Sequence, residues 1–264
     1  LVGCQPQPQT QPQKEETKNT VSCHFIGDLL YEKPYYDWIE DDSQDKGYYD
    51  LVRPYLQNDD LSIANLETPI GGKELNISGT GYSFNASRDI GEQVASLDLE
   101  VVSTANNHAN DRGNQGIDNT LDFLKEKDIL AVGTYYNQDD RDQGKYMTIH
   151  GIKFGFVSYT YATNQIVSDQ NQAKVALFNR PSDRKMTQAY KDLLTKEVTQ
   201  TRENCDVLIA MMHWGNEFTY DISTQQEEVS QLLSDLGVDI IIGNHSHCSQ
   251  PMEWINNNRT LCMY

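Results

Sequence analysis

Five apolar runs in this chain each end on residue types that bind metal ions. Cys23-His24-Phe25-Ile26-Gly27 leads into Asp28, Leu61-Ser62-Ile63-Ala64 into Asn65-Leu66-Glu67, and Val101-Val102-Ser103-Thr104-Ala105 into Asn106-Asn107-His108. Val207 to Met212 lead into His213, and Ile240-Ile241-Ile242-Gly243 into Asn244-His245-Ser246-His247. One histidine after a strand is ordinarily a half-exposed loop residue. Four of the six histidines stand at such exits, with acids on neighbouring runs, and that repetition points to one shared metal site. Nitrogen and oxygen donors without a thiolate suit manganese, iron or zinc and do not choose among them.

Short runs rich in β-branched residues, bounded by polar and Gly-containing loops, are expected to be buried strands of a mostly parallel sheet. In such a sheet the loops at the carboxyl ends of the strands share one edge, where open α/β folds place ligands. Strands are expected at 21–27, 60–64, 99–105, 129–132, 206–212 and 238–242, with a hairpin over 145–150 and 152–160 and a final β pair at 250–255 and 259–264. Helical spacing is read over 48–57, 89–97, 115–127, 183–202 and 223–236. The last of these is capped by Ser223 with Gln226 three residues on. The Tyr/Asp-rich connection Tyr31 to Lys46 reads as too polar for core, with aromatic rings at a rim or stacked on a ligand. Residues 68–88 read as a long glycine-bearing loop. The β-α alternation predicts a layered α/β architecture, with strands inside and helices outside.

The first twenty residues are a different material. After Leu1-Val2-Gly3-Cys4 comes a Gln/Pro/Thr/Lys/Glu tract without a large apolar residue until Val21, the composition of a solvated tether. Residues 21–264 are expected to form one domain. Leu-x-Gly-Cys before a polar tether resembles the bacterial lipoprotein cleavage box, which makes Cys4 the expected lipidation site. The domain would then be anchored at the outer face of the cytoplasmic membrane. No later run has the roughly 20 apolar residues needed to cross a bilayer.

The net charge of -18 over 264 residues disfavours nucleic acid, whose phosphates call for a Lys/Arg face. A polyanionic substrate would have to be drawn in by bound metal rather than by the field of the protein. Cys23 and Cys205 read as buried thiols. Cys248 is open to two roles, as a metal ligand beside His247 or as half of a disulfide with Cys262 across the Asn256-Asn257-Asn258 turn.

In their order, Gly27-Asp28, Asn65-Leu66-Glu67-Thr68-Pro69, Ala105-Asn106-Asn107-His108-Ala109, His213-Trp214-Gly215-Asn216-Glu217 and Gly243-Asn244-His245-Ser246-His247 make a specific set. Over nearly all of 21–264 this set resembles the CapA family of poly-gamma-glutamate capsule biosynthesis proteins, whose fold is similar to that of calcineurin-like metallophosphoesterases. The resemblance implies an α/β/β/α sandwich and one or two divalent ions. It implies Glu67 as bridging carboxylate, with Asn107, His213 and His245 at one site, Asp28 and His247 at the other, and His108 as general acid. It also implies an acidic polymer or phosphoester substrate and membrane capsule-synthesis proteins as partners.

Three departures bear on activity. Asp28-Leu29-Leu30 stands where active phosphoesterases have Asp-x-His, the bridge is Glu rather than Asp, and Ala109 replaces the acid that orients the catalytic histidine. Asp111 and Glu217 are read either as substitute ligands or orienting acids, or as solvated loop acids. Trp214 is expected to pack rather than to cover the site. The family pattern continues past the position of Tyr264, so the last strand is expected to be cut short. The residues are compatible with a capsule-assembly component, with an active phosphoesterase or other hydrolase, and with a non-catalytic metal-dependent binding lipoprotein.

Overall fold

A computed structural model describes residues 20–40 and 47–264. Cys4, the N-terminal tract up to residue 19 and residues 41–46 of the Tyr/Asp-rich connection lie outside the described residues. The chain runs β1 (Cys23–Leu29), α1 (Lys33–Glu40), α2 (Arg53–Leu56), β2 (Leu61–Leu66), β3 (Ser78–Thr80), β4 (Ser83–Asn85), α3 (Arg88–Ala95), β5 (Val101–Ser103), α4 (Gly113–Glu126) and β6 (Leu130–Val132). It continues through α5 (Gln138–Asp142), β7 (Lys145–Ile149), β8 (Ile152–Thr160), α6 (Gln188–Arg202), β9 (Val207–His213), α7 (Thr224–Asp235), β10 (Ile240–Asn244), β11 (Met252–Ile255) and β12 (Thr260–Met263).

The strands form two large sheets. The first is wholly parallel in the order β1-β2-β5-β6. The second has the order β11-β12-β10-β9-β8-β7, with β12, β10, β9 and β8 parallel and antiparallel strands β11 and β7 on its edges.

Side chains of successive strand residues point to opposite faces, and in both sheets both faces are apolar. Leu61, Ile63, Val101 and Val132 meet Phe154, Phe156, Ile209, Met211 and Ile242 between the sheets. The alternate residues Ala64, Leu66 and Val102 pack with Ile90 and Val94 of α3 and with Phe123 and Leu124 of α4. On the other outer face Val157, Tyr159, Leu208, Ala210, Met212 and Ile241 pack with α6 through Leu194 and Val198 and with α7 through Val229 and Leu233. The result is a four-layer sandwich, helices outside and two sheets inside. Each fully buried aliphatic or aromatic side chain contributes about 1.5–3 kcal/mol.

The structure corrects three parts of the sequence reading. Part of the connection after Tyr31 is core: α1 forms there, and Tyr31, Tyr36 and Ile39 are buried. Within the helix Tyr36 and Ile39 stand three apart on one face, and the hydroxyls of Tyr31 and Tyr36 give apolar rings a polar label, so composition conceals the buried stripe. Residues 68–88 are not merely a loop, since the β3–β4 hairpin lies within them. Gly79 on β3 lets that hairpin dock on α1, because a Cβ there would meet the Lys33 amide nitrogen at 2.6 Å. β1 also runs past its expected end at 27 to Leu29, with a register shift between Phe25 and Asp28.

The capping box at α7 forms as expected. The Ser223 hydroxyl accepts from the Gln226 amide, and the Gln226 side chain accepts from the Ser223 amide. Cys23, Cys205, Cys248 and Cys262 are free thiols, so the disulfide alternative for Cys248 is not realised; Cys23 and Cys205, expected to be buried, are only partly so, and Cys262 is the buried one.

Candidate metal centre

The polar residues predicted at the strand exits converge on one edge of the sandwich. Asp28 lies near the end of β1, Glu67 directly follows β2, Asn106 to His108 follow β5, and His213 ends β9. In the parallel ladder Asn244 is paired with His213, which carries the chain from β10 straight into His245 and His247. Both of these histidines have left-handed backbones, at φ 93° and 51°. Such conformations are costly for non-glycine residues and cluster at functional sites.

Two groups of ligand atoms result, and Glu67 belongs to both. One oxygen or nitrogen from each of Glu67, His213 and His245 lies within 4.8 Å of the others, and the same holds for Asp28, Glu67 and His247. His213 Nε2 is 3.0 Å from Asn107 Oδ1 and 3.6 Å from Glu67 Oε1. Ligand atoms bound about 2 Å from a common ion lie within about 4 Å of one another, so these spacings suit divalent cations.

The strongest indication of fit is what Glu67 lacks. Its side chain is fully buried, and neither carboxylate oxygen has a hydrogen-bond partner. Burial, followed by the charge of Asp28, raises its pKa well above the ordinary range. A buried carboxylate without donors must be neutral or lie against a cation. His245 Nδ1 is likewise buried and unpartnered. Burial, with the neighbouring His247, pulls His245 down to about 4, and burial with the charge of His245 holds His213 well below its usual range. Both imidazoles therefore offer lone pairs near neutral pH. The residues present fit one or two divalent ions.

Asp28 is arranged differently. Burial alone would raise its pKa, but His247 Nδ1 at 3.0 Å, the charge of His213 and the donating Asn65 amide overcome this and hold it below the usual carboxylate range. The His245 amide also donates to Asp28 Oδ2 at 3.2 Å. His247 is raised correspondingly, first by its bond to Asp28.

His108 is buried beside this cluster and tied to an acid. Its Nδ1 lies 2.7 Å from Asp111 Oδ2, which also accepts the Phe84 amide at 2.7 Å, and the Phe84 ring meets the imidazole edge-on at 4.5 Å. Asp111, left open in the sequence between an orienting acid and a solvated one, is buried and orients His108 from two residues beyond Ala109, within the turn that follows β5. Glu217 is half-exposed, 4.0 Å from His245 Nδ1. Leu30 and Cys248 belong to neither ligand group. Trp214 is fully buried and stacks near Tyr264 at 6.2 Å, so it packs.

Two supporting amides were missed in the sequence as site residues. Asn65 Nδ2 donates to Asp28 Oδ1 at 2.7 Å and approaches His213 Nδ1 at 3.3 Å. Asn106 donates to the Leu66 carbonyl and accepts from the His108 amide, which fixes the loop after β5. The available signal was position: Asn106 directly precedes Asn107, and Asn65 stands two residues before Glu67.

The sandwich and its polar edge define a class, the layered α/β proteins with potential metal ligands at the carboxyl ends of their strands. The fold is shared with a hypothetical protein from Thermus thermophilus of known crystal structure, at a TM-score of 0.50 and 17% identity over 91% of this chain and 74% of that one. Residues 22–264 match the family described as bacterial capsule synthesis protein PGA_cap, and the chain belongs to that family. It is 23% identical over 255 residues to the PGA biosynthesis protein CapA of Bacillus subtilis (strain 168) and 25% identical over 249 residues to the capsule biosynthesis protein CapA of Bacillus anthracis. Those matches cover 92% of this chain in each case, but only 62% and 58% of the relatives. A probable polyglutamine synthesis accessory protein of Mycobacterium tuberculosis is 25% identical over 199 residues, 74% of this chain and 51% of that protein.

Proposed function

We propose that this chain works in the making or export of a poly-gamma-glutamate-type capsule polymer through a divalent-metal site shared by two ligand groups. The observation that carries the reading is Glu67, a buried carboxylate with two unpartnered oxygens and a place in each group. Family membership and the names of its relatives support the capsule role. Glu67, His213, His245 and Asn107 would hold one ion, and Asp28, Glu67 and His247 a second. Manganese, iron or zinc there would act as a Lewis acid and make bound water more acidic.

The remaining chemistry belongs to the chain. Asp111, by accepting a proton-bearing Nδ1 of His108, leaves Nε2 as the atom that gives or takes a proton. Asn106 fixes the His108 backbone by accepting its amide, and the Phe84 ring packs against the imidazole. This dyad favours a hydrolytic version of the reading, with a phosphoester or polymer bond as substrate, over a purely binding one. Lipidation of Cys4 is part of the proposal, supported by the Leu1-Val2-Gly3-Cys4 sequence. Among the described residues no helix is long and apolar enough to cross a membrane.

The test is elemental analysis of protein purified with ample metal, followed by assay on an aryl phosphodiester with manganese and on γ-linked glutamate oligomers. Two equivalents per chain and turnover lost in Glu67→Gln and His108→Ala support the hydrolase. Metal bound without turnover supports an assembly or binding role, and absence of metal refutes the site. For the anchor, Cys4→Ser should move the protein expressed with a lipoprotein leader from the membrane fraction to the soluble one.

A further inference from the structure

Beside Asp28 the sandwich opens into a cavity of about 580 Å³ that none of the ligand chemistry explains. Its wall is aromatic: Tyr31, Tyr35, Trp38, Tyr48 and Tyr49 line it, with Leu30 and Glu32. The volume lies within the range of small-molecule sites, about 300–1,000 Å³, and its mixture of apolar wall and few polar groups is the usual one. Asp28 lines this cavity and belongs to the second ligand group, so the two spaces adjoin. Leu30, which costs the metal site an imidazole, contributes to the apolar wall instead.

Three features narrow the ligand. The rings touch one another and are mutually tilted. Tyr31–Tyr35 and Tyr35–Trp38 lie at 37° and 40°, Trp38–Tyr48 at 54°, and Tyr48–Tyr49 at 85°, with centroids 4.9–5.7 Å apart. They form a bent wall rather than two parallel plates with a gap for a flat heterocycle. Among the described residues, the ionisable side chains lining the cavity besides the phenols are Asp28 and Glu32, with no lysine or arginine, so a carboxylate or phosphate placed there would be repelled. Carboxylates accept hydrogen bonds from hydroxyls, and tyrosine hydroxyls both donate and accept. Tyr31 and Tyr49 bond to each other at 2.7 Å at the base of the wall, and Tyr48 stands 60% exposed at its outer side.

We propose that this cleft is a carbohydrate subsite: a neutral pyranose ring lies against the Trp38–Tyr48 wall with hydroxyls toward Glu32, beside the centre marked by Asp28. The inference rests on the proposed metal-centre reading for its place in a reaction. It names the substrate class of that site as a bond carrying a sugar on one side. The oligosaccharide portion of a cell-surface glycan fits the chemistry of the cleft, while the γ-carboxylates of the proposed polymer would be held at the metal centre rather than against this acidic, aromatic wall.

The full chain, loaded with manganese, is titrated with N-acetylglucosamine tetramer, adenosine and a γ-linked glutamate oligomer, following tryptophan emission. The sugar is expected to give a saturable change that is lost in Trp38→Phe, with binding at least tenfold weaker in Tyr48→Ala and several-fold weaker in Glu32→Gln. Thermal melting of each variant checks the fold, and metal content is measured on the same samples. Saturation by adenosine or by the glutamate oligomer without the sugar, sugar binding indifferent to Tyr48→Ala, or no binding by any probe overturns the inference. Metal bound without sugar binding sinks only the subsite. Sugar binding without metal sinks the metal reading and leaves the subsite standing.

Discussion

At the scale of single residues, Glu67 and the histidines around it give the pH behaviour. In metal-stripped protein the folded state holds Glu67 protonated at pH values where the unfolded carboxyl, ordinarily near 4.5, has released its proton. Stability from this group is therefore lost as pH rises. His245 and His213 have the opposite sign. Their pKa values are depressed from 6.5, His245 to about 4, so stability is lost as pH falls through that window. Urea melts in chelator across pH 4–8 should show both limbs. Glu67→Gln should flatten the alkaline limb, and manganese should reverse it in the parent but not in the variant. A second prediction concerns the orienting acid. Asp111→Asn should lower phosphodiester turnover by about tenfold or more with metal content unchanged, since partners of this kind are commonly worth about 10–100-fold. Unchanged turnover would leave Asp111 as a support for the Phe84 amide alone. The strand-exit residues were legible because their types are chemically distinctive; Asp111 and Asn65 were not, because only contacts separate an orienting acid or amide from a loop one.

At the scale of elements, the strands were legible where β-branched runs are bracketed by polar loops, and so was the capped start of α7. Its capping box reaches the site: Gln226 also donates to Gln250, which holds the carbonyls of Thr219 and Asp221 just beyond Glu217. Ser223→Ala should cost about 1 kcal/mol in chemical denaturation. Element α1 was hidden because its inward positions include Tyr35, Tyr36 and Trp38 beside Ile39, aromatic rings with polar atoms set among charged neighbours. The β3–β4 hairpin was hidden because strands of three residues carry almost no periodicity.

At the scale of the whole molecule, stability rests on the contact between the two sheets. Phe156 is 1% exposed there and Ile209 is fully buried. Phe156→Ala should cost about 3–5 kcal/mol and Ile209→Val about 0.5–1.5 kcal/mol, read as shifts in urea midpoint with an unchanged slope. A larger effect at Ile209→Val than at Phe156→Ala would contradict the packing described. The number of sheets was not readable from alternation alone, since every central strand is apolar on both faces and could sit in one wide sheet or in two stacked ones. The family resemblance supplied the sandwich.

The carboxylate of Asp28 accepts the amide of a residue 217 positions away, and His213 meets Asn107 across 106. A chain whose decisive contacts are so distant closes long loops before it is rewarded for them, so it gains its native topology slowly. A cation at the proposed centre would not nucleate that process, because the residues proposed to hold it are scattered until both sheets have stacked. It would only trap the finished product, and the apparent melting temperature is then expected to rise with the logarithm of its free concentration.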